Sequence, residues 1–587
     1  MIPHPSTKGV DFDMAKDYSK FSHEELIKYI EELQTQLKSE KYGLYWDKSI
    51  EKEKECIHLF NNIPFFVRSD ASLIEQNVDN NILIEGDNLR SLSILSMASH
   101  GQGIIDIIYI DPPYNTGHKS NDGGFKYNDE FISEDYGYKH SKWLSFMEER
   151  LLLAKNLLKD SGIIFISIDD NECANLKLLC DKIFGPHKFI TMIPRITKAQ
   201  RAGQEKYMDI SHDYILCYSN RGDFENIIDR DYDETKIKID HNGRYIPGDT
   251  KAILAAKSQG YSAGGDYDFE YNGKIYKPKT KNGERNRWLW TKERMQAAAN
   301  LGILVETSST IRMQLYLDVR FEEGTNKMVP KNSKLIFHTS DFIVNSKYSN
   351  ANGVQDLNKI SLEISNKFNN PKPVELIKKL LCFHSEKDIL VLDFFAGSGT
   401  TGQAVLELNK EDGGNRRFIL CTNNENNICT DVTYPRLKTV ITGIRPDGTK
   451  YSEGIPANLI YYKTDFIKDS NNTDQAKYCL VEKVDELLCI SEDIFIQLER
   501  NDYSSHYVSN DEKRHMFIYS DYYNETKFKE FKQRVLNASG TKVVYIFSSD
   551  NNVDETLFEG IKDVEVKPIP SKIYEIYKEI VEDIKRG

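Results

Sequence analysis

Metal-ligand clusters, phosphate loops, long apolar runs and positive charge are all scarce in this chain of 587 residues. Its nine cysteines are scattered, with no CxxC pair and no Cys/His group at ligand spacing. That pattern argues against a zinc site and a disulfide framework, and a reducing cytoplasm is the expected setting. No apolar run approaches the ~18 residues needed to span a bilayer, and the opening "MIPHPSTKGVDFDMAKDY" is polar. A soluble protein without a visible export signal is expected, with no membrane partner. No G-x-x-x-x-G-K-[ST] loop occurs, so any ATP-driven step must reside in another chain. Lys and Arg number 77 against 90 Asp and Glu, a net charge of −13, which excludes a surface that binds nucleic acid everywhere. A basic patch must be local.

One such patch is present. In "YNGKIYKPKTKNGERNRWLWTKER" (271–294), Lys274, Lys277, Lys279, Lys281, Arg285 and Arg287 meet few acids, the kind of feature that contacts phosphates, although a solvated charged loop reads the same way. Trp288 and Trp290, spaced by two, are expected to pack on one strand face.

The periodicity divides the chain into five parts. Residues 1–80 form an N-terminal helical segment, in which "FSHEELIKYIEELQTQLKSE" (21–40) carries a capping box and an apolar stripe. From 81 to 189 strands and helices alternate: "NILIEGDNLRSLSIL", the strand "IIDIIYI" (104–110), a helix over 140–160 and the strand "IIFISI" (163–168). Nearly uninterrupted apolar strands of this kind predict a parallel sheet covered on both faces. The alternation lapses over 190–360, a candidate insert, and resumes over 361–465. A small C-terminal α/β domain follows over 466–587. It is acidic and carries no readable motif.

Two motifs end strands. "GSGTTG" (397–402) matches the G-x-G-x-x-G turn of dinucleotide sites, and in either reading Gly397 and Gly399 let the backbone approach a ligand at a helix N-terminus. The frame differs here, because Asp393 ends the strand and Phe395 lies two residues before Gly397. That resembles the D-x-F-x-G-x-G pattern of S-adenosylmethionine-dependent amino-methyltransferases. The other motif, "YIDPPYNTG" (109–117), follows a buried strand. The exocyclic amine of adenine is a poor nucleophile, since its lone pair is delocalised into the ring. If Asp111 and the carbonyl of Pro112 accept its two hydrogens, the lone pair is localised and aimed at a methyl sulfonium. Pro112 and Pro113 stiffen the loop and remove competing donors. Tyr114 supplies a flat face for a base extruded from the duplex. No metal is required for this chemistry. The bland alternative, prolines that only end a strand, is outweighed by the presence of both motifs in one chain. Asp169 and Asp170 in "SIDDNE" read as helix caps.

With these motifs in this order, the chain resembles DNA adenine amino-methyltransferases of the beta arrangement, in which the catalytic motif precedes the recognition insert and the cofactor motif follows it. It is more closely similar to the modification (Mod) subunits of type III restriction-modification systems. The similarity also takes in "EGDNLRSL", "KWLSFMEERL", "SHDYILCYS", "RWLWTKERM" and "NPKPVELIKKLL". The resemblance implies a Rossmann-like methyltransferase sheet interrupted by a target-recognition insert. It implies S-adenosylmethionine as cofactor, and it assigns catalysis to Asp111, Pro112, Pro113 and Tyr114. Cofactor contacts are implied for Asp393, Phe395, Ala396, Gly397, Gly399 and Thr400, with Glu425 or Asn423 on the ribose and Lys372 and Pro373 beside the methionine end. Asp87 in "GDNL" either lines the pocket or caps a helix. Phe394 stands where the family usually has proline. Double-stranded DNA, a homodimer and a separate ATP-dependent restriction subunit are the partners that the resemblance implies. A solitary adenine or cytosine-N4 methyltransferase, or a recognition subunit with vestigial catalysis, would look much the same.

Overall fold

The computed structural model describes residues 46, 54–69, 74, 80–116, 126–127, 130–131, 139–198, 210–221, 237–246, 254, 261–279, 284–307, 310–316, 319–322, 324–330, 341–468, 473–521, 524–548 and 552–586. The expected helix over 21–40 and its apolar stripe lie outside them. The chain divides into two compact units: Met1–Phe224 with His338–Gly587, and the intervening Glu225–Phe337.

The larger unit is built on a nine-stranded sheet. Its strands, in chain order, are β1 (Ile63–Arg68), β2 (Asn80–Glu85), β3 (Ile105–Ile110), β4 (Leu158–Ile168), β5 (Phe189–Ile196), β6 (His212–Ser219), β7 (Leu390–Asp393), β8 (Arg417–Thr422) and β9 (Asn458–Ile467). Their spatial order is β1-β9-β2-β8-β7-β3-β4-β6-β5. The six strands from β9 to β4 run parallel, and β1, β6 and β5 are antiparallel additions at the two edges. Strand β3 is buried along its whole length. That is why it reads as an apolar run, and its one acid, Asp106, is held by Lys159 Nζ at 2.9 Å and by the Leu390 amide at 2.9 Å.

Helices join the strands: α1 (Lys54–Asn61), α2 (Asn88–Ala98), α3 (Lys139–Leu157), α4 (Cys173–Phe184), α5 (Val374–Leu381), α6 (Thr400–Asp412) and α7 (Tyr434–Thr442). Helix α2 packs on α3 and α3 on α4, while α5 packs on α6 and α6 on α7. The helix expected over 140–160 stops at Leu157, because Leu158 already pairs with Ile105 across an irregular register.

After β9 a five-stranded mixed sheet forms, from Ile496–Arg500 at one edge to Val564–Pro570 at the other, with the closing helix α8 (Ser571–Arg586). This segment does not stand apart as expected. Ile573, Tyr577 and Ile580 of α8 belong to the same core as Leu92, Ile94 and Met147, and the Tyr577 hydroxyl donates to the Leu59 carbonyl at 2.7 Å. The apolar stripe of α8 needs an apolar partner, and the outer face of α2 provides it.

The smaller unit is narrower than the insert expected over 190–360. Strands β5 and β6 belong to the large sheet, β5 at its edge and β6 next to it, and their mixed polarity is what hid them. Within Glu225–Phe337 the described elements are short antiparallel strands, a 3-10 helix over Ala263–Gly265 and an α-helix over Lys292–Asn300. Both tryptophans pack inward. Trp288 is buried with its indole N–H on the Tyr267 carbonyl at 2.9 Å, and Trp290 lies 5.3 Å from Phe321.

Candidate active site

Strands β3 and β7 are parallel neighbours, with Leu392 opposite Ile108. From β3 the chain passes to β4 on one side, and from β7 to β8 on the other. A crevice opens where connections diverge in this way, beyond the carboxyl ends of the strands. Asp111 directly follows β3, and Asp393 is the last residue of β7, so the topology brings both motifs to one edge.

At the end of β3, Asp111 is partly exposed (28% of its side chain) and Lys372 is nearly buried (8%). The Lys372 ammonium donates to both Asp111 oxygens, at 2.7 and 2.8 Å, and to the Tyr114 hydroxyl at 2.8 Å. Lys372 is expected beside the methionine end of a cofactor, and here its Nζ holds the Asp111 carboxylate to the Tyr114 hydroxyl. Its neighbour Pro373 sits at the N-cap of α5. Burial, with the Asp111 and Asp213 charges beside it, raises the Tyr114 phenol well above its ordinary range. The hydroxyl therefore stays protonated and donates to Asp213 Oδ2 at 3.5 Å. The Trp143 indole N–H occupies the Pro113 carbonyl at 2.7 Å. Among the described residues nothing donates to the Pro112 carbonyl, which leaves that oxygen for an incoming amine. Trp143 belongs to "KWLSFMEERL", but a tryptophan at a helix start gives no sign of this role. Asn115, with φ of 57°, turns the loop and donates to the buried Glu172 at 2.5 Å.

At the end of β7, Asp393 accepts the Phe395 amide at 3.0 Å and the Thr401 hydroxyl at 2.5 Å. Burial pushes its carboxyl up to about 7, against those two bonds, and the Asp111 charge adds to the rise. Gly397 and Gly399 have φ of 46° and 77°, values that favour glycine. A Cβ on Gly399 would lie 3.0 Å from Thr433 Cγ2, and one on Gly397 would lie 2.9 Å from Phe368 Cζ. Ala396 is buried with its amide on the Cys421 carbonyl. Thr400, the first residue of α6, is buried beside Ser398. Phe395 is partly buried, 6.0 Å from Phe146, and Phe394, in place of the usual proline, is fully buried. Beyond β8, Asn423 and Glu425 are both exposed. The set fits S-adenosylmethionine: a glycine turn at a helix start for a carboxylate, an aromatic wall, and amide and carboxylate acceptors for ribose hydroxyls.

Asp87 is the cap of α2, accepting the Leu89 and Arg90 amides at 2.8 and 3.2 Å, and its other oxygen takes Arg150 Nη2 at 3.3 Å. The adjacent Asn88 donates to the Phe394 carbonyl at 3.0 Å, so this turn braces the glycine turn. Asp169 caps the turn before α4, at 3.0 Å from the Asn171 amide, and not the helix itself. Burial pushes its carboxyl to about 6.

One residue beneath the turn escaped sequence reasoning. Arg436 of α7 is fully buried and donates to Gln403 Oε1 at 2.7 Å, Ser398 Oγ at 2.9 Å and Thr400 Oγ1 at 2.8 Å. These partners are neutral, and burial lowers the guanidinium to about 10. An arginine in an amphipathic helix carries no signal of that depth.

The family model described as DNA methylase matches residues 105–433, from the start of β3 to the residue before α7. The chain belongs to the DNA methylase family. Among curated relatives of this methylase, it is 35% identical over 376 residues to the type III restriction-modification enzyme StyLTI Mod subunit of Salmonella typhimurium, a match covering 60% of this chain and 53% of that one. To the EcoPI Mod subunit of Escherichia phage P1 it is 30% identical over 455 residues, 69% of this chain and 67% of that one. To the type II methyltransferase M.KpnI of Klebsiella pneumoniae it is 30% identical over 401 residues, 66% of this chain and 90% of that one. The chain thus spans about half the length of the Salmonella subunit.

In the smaller unit of this methylase, part of the basic run is already paired. Lys274 lies 3.3 Å from Glu306, Lys277 lies 3.5 Å from Asp268, and Arg285 contacts both Asp266 and Asp268. Lys279 is exposed and Arg287 half-buried. Lys281 lies outside the described residues. None of the described helices is long and apolar enough to cross a membrane.

Proposed function

We propose that this methylase is the modification and recognition subunit of a type III restriction-modification system, transferring a methyl group from S-adenosylmethionine to the N6 amine of adenine in double-stranded DNA. The carrying observation is the meeting of Asp111, the Pro112 carbonyl and Tyr114 with the Asp393–Gly399 turn at the ends of two adjacent parallel strands.

Bound S-adenosylmethionine supplies an electrophilic methyl group. The chain's own residues do the rest. Tyr114 offers its ring to the extruded base. One amine hydrogen is donated to Asp111 and the other to the Pro112 carbonyl, which Trp143 leaves open by occupying only the carbonyl of Pro113. Each carboxylate oxygen has two acceptor positions, so Lys372 stays in place while the amine binds. The amine nitrogen then presents its lone pair, and one of its protons leaves toward Asp111 as the N–methyl bond forms and the sulfur–methyl bond of the donor breaks, its electron pair staying on sulfur. Asp393 and the Gly397–Gly399 turn hold the donor, with Phe395 as its wall and Asn423 or Glu425 on the ribose. Aspartate at position 111 favours adenine over the cytosine amine. Residues of the smaller unit, Lys279 and Arg287 among them, contact DNA. A homodimer and a separate ATP-dependent restriction subunit complete the assembly.

The test is single-molecule sequencing of host DNA with and without the gene, together with a labelled-methyl assay on Asp111→Ala. N6-methyladenine at one short sequence is expected, lost in Asp111→Ala while cofactor affinity stays within a few-fold. Retained turnover in Asp111→Ala would overturn the mechanism, and methylated cytosine would overturn the substrate.

A further inference from the structure

Arg195 of β5 and Asp213 of β6 face each other across the edge of the large sheet. Both are almost completely buried. The Arg195 Nε–H donates to Asp213 Oδ1 at 2.8 Å, and Nη2 meets Oδ2 in a second bond. A buried pair of this kind adds little net stability over an apolar pair of equal volume. Its contacts point elsewhere. Asp213 Oδ2 accepts the Tyr114 hydroxyl at 3.5 Å, and that hydroxyl accepts from Lys372, which also holds Asp111. Lysine and arginine have no acceptor, so every donor and acceptor role in this chain is determined. Lys372 donates to Asp111 and Tyr114, Tyr114 donates to Asp213, and Arg195 donates to Asp213. The free end of Arg195 continues the chain. Its Nη1 donates to the Tyr348 carbonyl at 2.8 Å and to Asn350 Oδ1 at 2.9 Å, and the Asn350 amide donates to the Thr197 carbonyl at 3.0 Å. Asp213 precedes the inserted unit, and Tyr348 and Asn350 follow it. Arg195, Asp213, Tyr348 and Asn350 all belong to the larger unit, on segments that flank the inserted unit in sequence.

We propose that Asp213 and Arg195 are positioning residues that orient the base-stacking ring of Tyr114 and fasten it, through the Tyr348 carbonyl and Asn350, to the segment that follows the inserted unit in sequence. The inference rests on the methyltransferase reading above. Tyr114 has two soft torsions, and a hydroxyl gripped from both sides removes that freedom before the base arrives. The gain is preorganisation, so its loss slows the step that needs the ring in place and leaves the cofactor turn at β7 untouched.

The variant that separates positioning from folding is the double replacement Arg195→Met with Asp213→Leu, which removes both charges and keeps the volume. With the target sequence known from host sequencing, kcat, cofactor affinity and 2-aminopurine emission at the target base are measured on the full chain. A roughly tenfold lower kcat is expected, equivalent to about 1.4 kcal/mol, with weaker emission on DNA binding and cofactor affinity unchanged. Tyr114→Phe should give the same loss, and all three replacements together no more than either alone. A double variant with wild-type kcat and emission overturns the inference, as do losses that multiply when the changes are combined. If the double variant fails to fold, Tyr114→Phe decides alone, since it leaves the Arg195–Asp213 pair intact: wild-type kcat there overturns the inference. A wild-type chain that transfers no methyl group overturns the proposed function instead.

Discussion

Replacing Lys372 by methionine separates two roles that its position in the chain allows. A lysine beside the methionine end of the donor would govern cofactor affinity, whereas a lysine that clamps Asp111 to Tyr114 governs the chemical step. The ammonium spends all three of its N–H groups on these two residues, at 2.7, 2.8 and 2.8 Å. Methionine keeps the stem and removes every bond. Charge-assisted hydrogen bonds are each worth roughly 1.5–3 kcal/mol. The lower end applies here, because Asp111 retains 28% exposure and water can replace part of what is removed. The larger effect falls on rate: a carboxylate displaced by about 1 Å costs on the order of 100-fold, or about 2.7 kcal/mol of barrier. Single-turnover methyl transfer should therefore fall about 100-fold, while S-adenosylmethionine titrated by fluorescence or calorimetry binds within a few-fold of wild type. Lys372→Arg should recover part of the rate, since a guanidinium can still pair with the carboxylate but is too bulky to reproduce the bond to Tyr114. A variant with normal single-turnover rate and cofactor affinity weakened tenfold or more would refute the clamp and return Lys372 to the cofactor.

Three further outcomes follow from the geometry. Gly399→Val places a β-branched side chain at φ of 77° and a Cβ at 3.0 Å from Thr433, so cofactor affinity should fall by more than tenfold, by calorimetry, with a left-handed strain of about 1–2 kcal/mol; normal affinity would locate the donor elsewhere. Asp393, raised to about 7 in the fold against an unfolded value of about 3.9, binds more protons folded than unfolded, so its contribution to stability is full below about pH 4 and vanishes as pH rises through 7. A cationic donor prefers the ionised form, and its affinity should rise over pH 6 to 8 with proton release that calorimetry in two buffers detects and that Asp393→Asn abolishes. Neutralising Lys277 and Lys279 together should lower the log–log salt slope of DNA binding by roughly 0.9 for each phosphate no longer neutralised. Because Lys277 is already shared with Asp268, a change nearer one phosphate than two is expected, and an unchanged slope would return the run to a solvated loop.

The parallel strands around the site were legible because each is buried on both faces and reads as an apolar run, and the two motifs are legible because prolines and glycines do backbone work that few other residues can. The edge strand β5 and its neighbour β6 were not. Their mixed polarity, with Arg195 and Asp213 facing each other across the pair, looks like irregular chain until the partner strand is known. The same reason explains Lys372. Its place in "NPKPVELIKKLL" was plain, but its target lies 261 residues away, and no local pattern reports a contact over that separation. The packing of the C-terminal segment was not legible either, because its α8 shares a core with α2, a contact that no local pattern reports.

The interleaving of the sheet has a consequence for synthesis. Strand β2 lies between β8 and β9, and β1 pairs only with β9, so segments made early are bordered by segments made last. A ribosome that has released the chain through β6 has exposed Asp111 on a strand with one side unpaired, and the neighbour that covers it, β7, emerges only after the whole inserted unit. The inserted unit, with its own core of Phe269, Trp288 and Met295, can fold on schedule while its host waits. Contacts of such long separation are slow to form. Nascent chains arrested before residue 467 should therefore be protease-sensitive in β1 and β2 while the inserted unit is already protected, and the crevice between Asp111 and Asp393 should form only after β7 has emerged.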